Sequence, residues 1–425
     1  MKKVLTALRS GDRATLFAAF FYFDVSFMIW VMIGALGVYI SADFGLSPAE
    51  KGLIVSIPLL GGAFFRILVG FLVDRFGPRR IGIVTLSIAL VPLICGGWGA
   101  TSYAEVIMLG FLLGIAGASF AVALPLASRC YPTEHQGVAM GIAGAGNSGT
   151  MVAVLVAPFM AEAFGWHAVF RWAIVPTLIA LFVLAWFAQD HDDYDQDPEP
   201  MSGRALFAAI RSPELWVFCA FYGVTFGGFV GLASFIGIFL NDAYGIPPAT
   251  AGIVTAVAVF AGSFVRPIGG YIADRVGGLR LLIGVFLVAA LLFSVVALAT
   301  AQMALAVVCI ILGMLVLGLG NGAVFQEVPN RFAGKMGLIS GVIGAAGGLG
   351  GFFLPVLLGK VKMWTGSFSS GFFLFAAAAV CCGIIALFQQ MRESATLPSF
   401  ARTRIPAVRT VTAEGRIQME VIFGG

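Results

Sequence analysis

Long apolar runs separated by short polar or Gly/Pro breaks recur along the chain near residues 15–42, 49–73, 81–100, 104–130, 136–162, 167–189, 214–240, 247–273, 279–300, 303–331, 335–361 and 367–391. Each can cross a bilayer as a helix, which takes about 20 residues. The runs are apolar throughout and do not alternate as barrel strands do. Six precede and six follow one polar break, 190–212, whose segment DHDDYDQDPEP carries six acidic residues and suits a solvated connection. The pattern predicts an all-α membrane protein of twelve transmembrane helices in two six-helix bundles, 15–189 and 213–391. Tails of 1–14 and 392–425 flank the bundles.

Composition agrees. With 60% hydrophobic and 11% charged residues and a mean hydropathy of +1.00, the chain has too little polar surface for a soluble protein of its length. The net charge of +4 is dispersed, which argues against a nucleic-acid partner. None of the cysteines forms a CxxC pair, so neither a metal nor a disulfide is indicated, and no cofactor motif is present. The basic start MKKVLTALRSGDR leads directly into an apolar run without a small-residue cleavage site and reads as a cytoplasmic tail. The two tails, the linker and the loops following even-numbered spans hold 19 of the 25 Lys and Arg, which places both termini in the cytoplasm. The opposite loops hold only Lys51, Arg171, Lys360 and Lys362. The expected setting is a bacterial inner membrane, with lipid as the surrounding partner and the chain acting as a monomer.

The halves are related in sequence. Residues 44–80 and 244–280 align without gaps and are identical at 12 of 37 positions, too many charged coincidences for two unrelated lipid-embedded segments. The identities include Arg66/Arg266, Asp74/Asp274, Arg75/Arg275 and Gly77/Gly277. A parallel repeat of this kind places a substrate site at the midplane between halves. Asp74 and Arg75, with Asp274 and Arg275, are read as gating or structural charges in a turn of interlocking charges, a plain anchored turn being the alternative.

Arg66 lies eight residues before Asp74, about 12 Å further into its helix, and Arg266 does the same in the second half. A charge at that depth is costly and should face the interior or a cavity. Two symmetric arginines with few buried acids call for an anion, and planar guanidinium forks match a planar oxyanion such as nitrate. The alternative is a pair of buried salt bridges to Asp24 or Glu327.

The element G-x3-D-R-x-G-x2-R at Gly70–Arg80, repeated at Gly270–Arg280, resembles the loop signature of the major facilitator superfamily. Within that superfamily the chain resembles the nitrate/nitrite porter family over about residues 15–390. The segments GVAMGIAGAGNSG at Gly137–Gly149 and GLISGVIGAAGGLGGFFLP at Gly337–Pro355 are similar to that family's paired signatures. The resemblance implies that Arg66, Arg266, Asn147, Phe120, Phe325 and Tyr222 bind the anion. Phe120 and Phe325 would stack over its faces, and the Asn147 amide and the Tyr222 hydroxyl would donate to its oxygens. Asn321 and Gln326 are weaker candidates beside them. The small residues of spans five and eleven would let the helices slide.

Asp24, in FYFDVSFMIW of the first span, is a carboxyl in apolar surroundings able to take up a proton, and the pattern resembles family members associated with proton-coupled uptake. Glu327 is a second proton-coupling candidate. A salt bridge to an arginine is the alternative for both, and a cytoplasm-facing place a further one for Glu327. The three histidines fall in loops or at span ends, so no buried histidine relay is expected. The resulting expectation is a secondary transporter of nitrate and nitrite, driven by protons. Nitrate/nitrite exchange and a porter for another small anion remain open. An enzyme or sensor is disfavoured, because no nucleophile–base set, P-loop or soluble output domain is seen.

Overall fold

The computed structural model describes residues 10–132, 135–190, 211–299, 302–332, 336–396, 409–411 and 417–419. Among them, twelve helices are long and apolar enough to cross a membrane: Arg13–Ala35, Pro48–Phe76, Pro78–Trp98, Tyr103–Arg129, Val138–Phe164, Trp166–Phe187, Pro213–Tyr244, Pro248–Val276, Gly278–Leu298, Met303–Val328, Ile339–Thr365 and Ser369–Ser394. They are called spans one to twelve below. The start of the N-terminal tail and the acidic segment 191–210 lie outside the described residues. So does the C-terminal tail beyond Thr396, except for a short antiparallel pairing of Arg409–Val411 with Ile417–Met419.

Capping explains where several spans begin. The Ser47 side chain accepts from the Glu50 amide while Glu50 reaches back to the Ser47 amide, and Ser102 and Glu105 repeat this box at span four. The short turns after spans two and eight run through Gly77 and Gly277, at φ of 85° and 93°, a backbone region that side-chain-bearing residues avoid. The first turn is docked: Asp190 accepts from the Arg79 amide, and Arg79 donates to the Ala185 carbonyl at the end of span six.

Spans one and seven are the most enclosed, as expected of innermost helices. Between halves, span two packs along span eleven and span five along span eight. These contacts are exchanged by the sequence repeat, so the assembly is pseudo-symmetric. Phe64, Trp98, Trp172, Trp186 and Leu291 point outward, forming an apolar outer surface suited to lipid.

Three spans are interrupted where the halves meet. Span four breaks at Ala118–Ser119, span five contains a 3-10 turn at Ala145–Ser148, and span eight breaks at Val265, next to Pro267, which has no amide hydrogen to offer the helix ladder. The first run, expected to be continuous over 15–42, is instead divided at Leu36 into Arg13–Ala35 and Gly37–Asp43. The bend falls between Gly34 and Gly37, which span seven approaches through Ser234 and Ile238.

Candidate functional site

The three interruptions converge on the two arginines. Arg66 is 2% exposed, and what pays for its burial is carbonyl oxygen rather than carboxylate. Its Nη1 donates to Gly344 O across the half interface and its Nη2 to Gly117 O, each at 2.7 Å. The second acceptor is a product of the break in span four. The Ala121 amide bonds Ala118 O at 2.9 Å, one residue short of its regular partner, which frees the Gly117 carbonyl. The guanidinium carbon lies 5.8 Å from the ring centres of Trp30 and Phe120 and 5.7 Å from that of Phe226.

Arg266 is differently placed. Its guanidinium lies 5.3 Å from the Phe226 ring centre and 5.1 Å from that of Phe229. Its Nε and Nη2 are buried without a hydrogen-bond partner. Neither arginine takes part in an ion pair among the described residues, so the salt bridges to Asp24 or Glu327 are not formed. Buried donors left unsatisfied next to an unpaired charge are an expensive arrangement, and an anion would relieve both costs.

The aromatic residues predicted from sequence come together here. Phe120 and Phe325, from opposite halves, have ring centres 5.7 Å apart and inclined by 47°. Tyr222 meets Phe325 edge-on at 4.9 Å and stacks parallel on Phe226 at 4.9 Å, within electrostatic reach of both guanidinium groups. Asn147 sits in the 3-10 turn with its Nδ2 donating to Ser263 Oγ of span eight at 2.8 Å, while its Oδ1 is buried without a partner. Asn321, 3% exposed and one turn before Phe325, has neither amide atom bonded. Phe226, Trp30 and Ser263 were not singled out from the sequence. Phe226 was legible one helical turn after Tyr222, and Ser263 one turn before Arg266.

Asp24 is next to this cluster but faces the 3-10 turn, its Oδ1 accepting from Ser148 Oγ at 2.7 Å. Glu327 is elsewhere. Its Oε1 accepts from the Gly278 amide at the start of span nine, and its Oε2 pairs with Arg331 Nε at 2.9 Å. Arg331 also pairs with Glu214 and Glu393, knotting spans seven, ten and twelve on the linker side. Burial works against the Arg331 charge, but Glu393, Glu214 and Glu327 outweigh it and hold the guanidinium above its ordinary range. Glu327 is thus a structural ion-pair member in this conformation, one turn from its partner. Asp74 and Asp274 are exposed and form no ion pair among the described residues. The expected interlock of Asp74 with Arg75, Arg79 and Arg80 does not form as ion pairs among the described residues, and Arg79 is instead spent on span six. Arg75 lies over Phe76 at 5.3 Å and Arg275 over Tyr271 at 4.3 Å, while Asp74 is within electrostatic reach of Arg129.

The two ends of the half interface differ. Away from the linker, Lys51 Nζ pairs with Asp242 at 2.8 Å across the halves, and Gly52 lies directly against the Pro355 carbonyl and Gly359 against that of Pro48. On the linker side, added methyl groups at Gly141 and Gly341 would meet nothing within 4 Å. Spans two and eleven are thus in backbone contact at the far side.

Paired six-helix bundles around a midplane cluster define a membrane transporter, and the sequence matches the profile of the Major Facilitator Superfamily over residues 16–355, so the chain belongs to that superfamily. It is 34% identical over 373 residues to a nitrite extrusion protein of Bacillus subtilis, covering 86% of this chain and 92% of that one. It is 33% identical to a "Probable nitrate/nitrite antiporter" of Thermus thermophilus, covering 84% and 87% of the respective chains. It is 30% identical to a "Probable nitrate transporter" of Staphylococcus epidermidis, covering 87% and 94%. Within the superfamily the chain belongs to the nitrate/nitrite porter family that these relatives represent. The xylose transporter of E. coli, in a partially occluded inward-open conformation, shares the fold with a TM-score of 0.67 at 15% identity, over 89% of this chain and 97% of that one.

Proposed function

We propose that this chain moves nitrate, and also nitrite, across the bacterial inner membrane by alternating access, with proton-coupled nitrate uptake as its working direction. The observation that carries the reading is the pair of buried arginines without carboxylate partners among the described residues, with unbonded donors at Nε of Arg66 and at Nε and Nη2 of Arg266, enclosed by rings from both halves. The relatives' names point to the same anions. A flat anion would lie between Phe120 and Phe325, taking hydrogen bonds from Arg66, Arg266, Tyr222 and Asn147. The 15–189 and 213–391 bundles would rock about it as a monomer, with tails 1–14 and 392–425 and linker 190–212 in the cytoplasm. The Lys and Arg bias supports that orientation. No enzymatic step is assigned.

The test is uptake of labelled nitrate into proteoliposomes, with either an inward proton gradient or internal nitrite as the drive. Accumulation with the gradient and no internal nitrite supports symport. Uptake only with nitrite inside establishes exchange, the reading favoured by the Thermus relative's name. Under symport, Asp24→Asn is expected to abolish gradient-driven accumulation while leaving nitrate-for-nitrate exchange, since the amide still accepts from Ser148 but cannot carry a proton. Gradient-driven accumulation at the wild-type level in the variant would remove Asp24 from the coupling.

The Lys51–Asp242 pair gives a second expectation. The repeat puts Ala251 and Ala42 at the corresponding positions, so this far-side latch exists once and has no counterpart in the other half. Lys51→Met should cost the far-side-closed state about 1 kcal/mol, in the range of partly exposed ion pairs. The check is faster amide exchange at the far-side ends of spans two and seven. Unchanged exchange there would show that the latch contributes nothing.

A further inference from the structure

Asn147 of span five and Ser263 of span eight meet across the half interface, and their contact has no equivalent in the related pair of helices. The sequence offset of 200 that relates Arg66 to Arg266 also aligns Gly137, Gly141 and Gly144 with Gly337, Gly341 and Gly344. It puts Gly347 at the place of Asn147 and Ala63 at that of Ser263. There spans two and eleven close through small apolar groups. A Cβ at Gly348 would stand 2.9 Å from that of Ala63, and one at Gly347 would run into the Tyr222 ring. Packing two such helices needs neither a hydroxyl nor an amide. Spans five and eight carry both, with Ser263 one turn before Arg266.

The pair is imperfectly matched as it stands. Asn147 Nδ2 donates to Ser263 Oγ at 2.8 Å, while Asn147 Oδ1 is buried without a partner. Nitrate brings acceptors alone, so it can take hydrogen bonds from the amide nitrogen and has nothing to offer Oδ1. Half a turn about the last side-chain torsion exchanges the two ends of the amide. Ser263, a donor as well as an acceptor, then donates to Oδ1, and Nδ2 takes the side where Oδ1 stood with both hydrogens unbonded. The backbone of the 3-10 turn stays in place, because Gly146 and Gly149 lie against the backbone of Asp24. A carbonyl in place of the Ser263 hydroxyl could hold only the present orientation, and an apolar group could hold neither.

We propose that Ser263 is a positioning residue for the anion: its hydroxyl, contributed by the second half, turns Asn147 of the first half so that the amide nitrogen serves the anion. Asn147 is set in this way only while spans five and eight are in contact, which ties its hydrogen bond to the meeting of the halves. This inference rests on the anion-binding reading above and adds a residue to it.

The test is a double-mutant cycle in the reconstituted full chain, read as the KM for nitrate and as the nitrate-dependent rise in melting temperature. Ser263→Ala introduces the residue that the first half has at this place. It is expected to raise KM by about five- to tenfold, the scale of one lost hydrogen bond, with kcat within about twofold. Ser263→Thr keeps the hydroxyl and should stay within about threefold of wild type. In an Asn147→Ala background, Ser263→Ala should have no further effect, because the hydroxyl acts only through the amide. Should Ser263→Ala fail to fold, Ser263→Cys, near serine in size but a weak donor, takes its place with the same expectation. A wild-type KM in the variant overturns the inference, and so do penalties that simply add in the double variant, which is what loosened packing gives. A wild-type protein whose melting nitrate does not shift overturns the anion reading itself, and this inference with it. A wild type that nitrate stabilises, beside a Ser263→Ala variant stabilised equally, overturns the inference alone.

Discussion

Arg266→Met is expected to abolish nitrate binding and, at the same time, to make the anion-free protein more stable. The two effects share one cause. Arg266 holds a buried positive charge with no carboxylate partner among the described residues, two unbonded donors and a second arginine within electrostatic reach. Replacing whole buried ion pairs by well-packed apolar side chains is often neutral or stabilising by about 1–4 kcal/mol, and removing a buried charge that has no partner to strand should act in the same direction. Losing one partner of a desolvated charge–anion contact costs about 2–5 kcal/mol, a loss of roughly thirtyfold or more in affinity. Arg66→Met should share the second effect and not the first, because it strands the carbonyls of Gly117 and Gly344. Thermal unfolding with and without nitrate checks both. The Arg266 variant should melt higher than wild type and show no nitrate-dependent shift. An Arg266→Met protein that nitrate still stabilises would place the anion elsewhere. Arg266→Lys should also fail, because a compact ammonium cannot offer the fork of donors.

The architecture was readable from the sequence because lipid imposes it: an unbonded backbone cannot sit in hydrocarbon, so long apolar runs have to be helices. Arg66 and Arg266 were readable for the same reason, a charge among Phe, Gly and Leu being costly enough to need an explanation. What could not be read was the partner that satisfies Arg66. That partner is backbone oxygen, released at Gly117 by a break in span four, and no side chain marks a carbonyl. Glu327 was read as a second proton-coupling candidate, with a salt bridge or a cytoplasm-facing place as the alternatives, and its observed partner was also legible. Arg331 lies four residues later, the spacing at which neighbours on one helix face pair. Phe226 was passed over because a phenylalanine in a membrane helix usually packs against lipid or core. Only the fold shows one ring serving both arginines.

Gly149→Ala is expected to cost more stability than any other single methyl group in the signature of span five. A Cβ at Gly149 would fall on the carbonyl oxygen of Asp24, with the Asp24 carbonyl carbon at 2.7 Å and the Met28 amide at 3.0 Å. These are backbone atoms of a helix and cannot rotate away as a side chain end would, so spans one and five must separate. Overpacking a well-packed contact costs about 1–3 kcal/mol, and the upper end applies where only backbone can yield. The separation also strains the Ser148–Asp24 hydrogen bond and displaces Asn147, two residues away, from Ser263. Gly141→Ala is the matched control. The same methyl group, eight residues earlier in the same segment, meets nothing within 4 Å, and alanine favours helix over glycine by about 1 kcal/mol. Melting temperatures in one detergent, with nitrate uptake by the reconstituted variants, should separate the two substitutions. Gly149→Ala should melt well below wild type and lose transport, and Gly141→Ala should melt at or above it. Equal melting temperatures would mean that the glycines of span five do not serve close approach to span one. Their density would then need another physical reason.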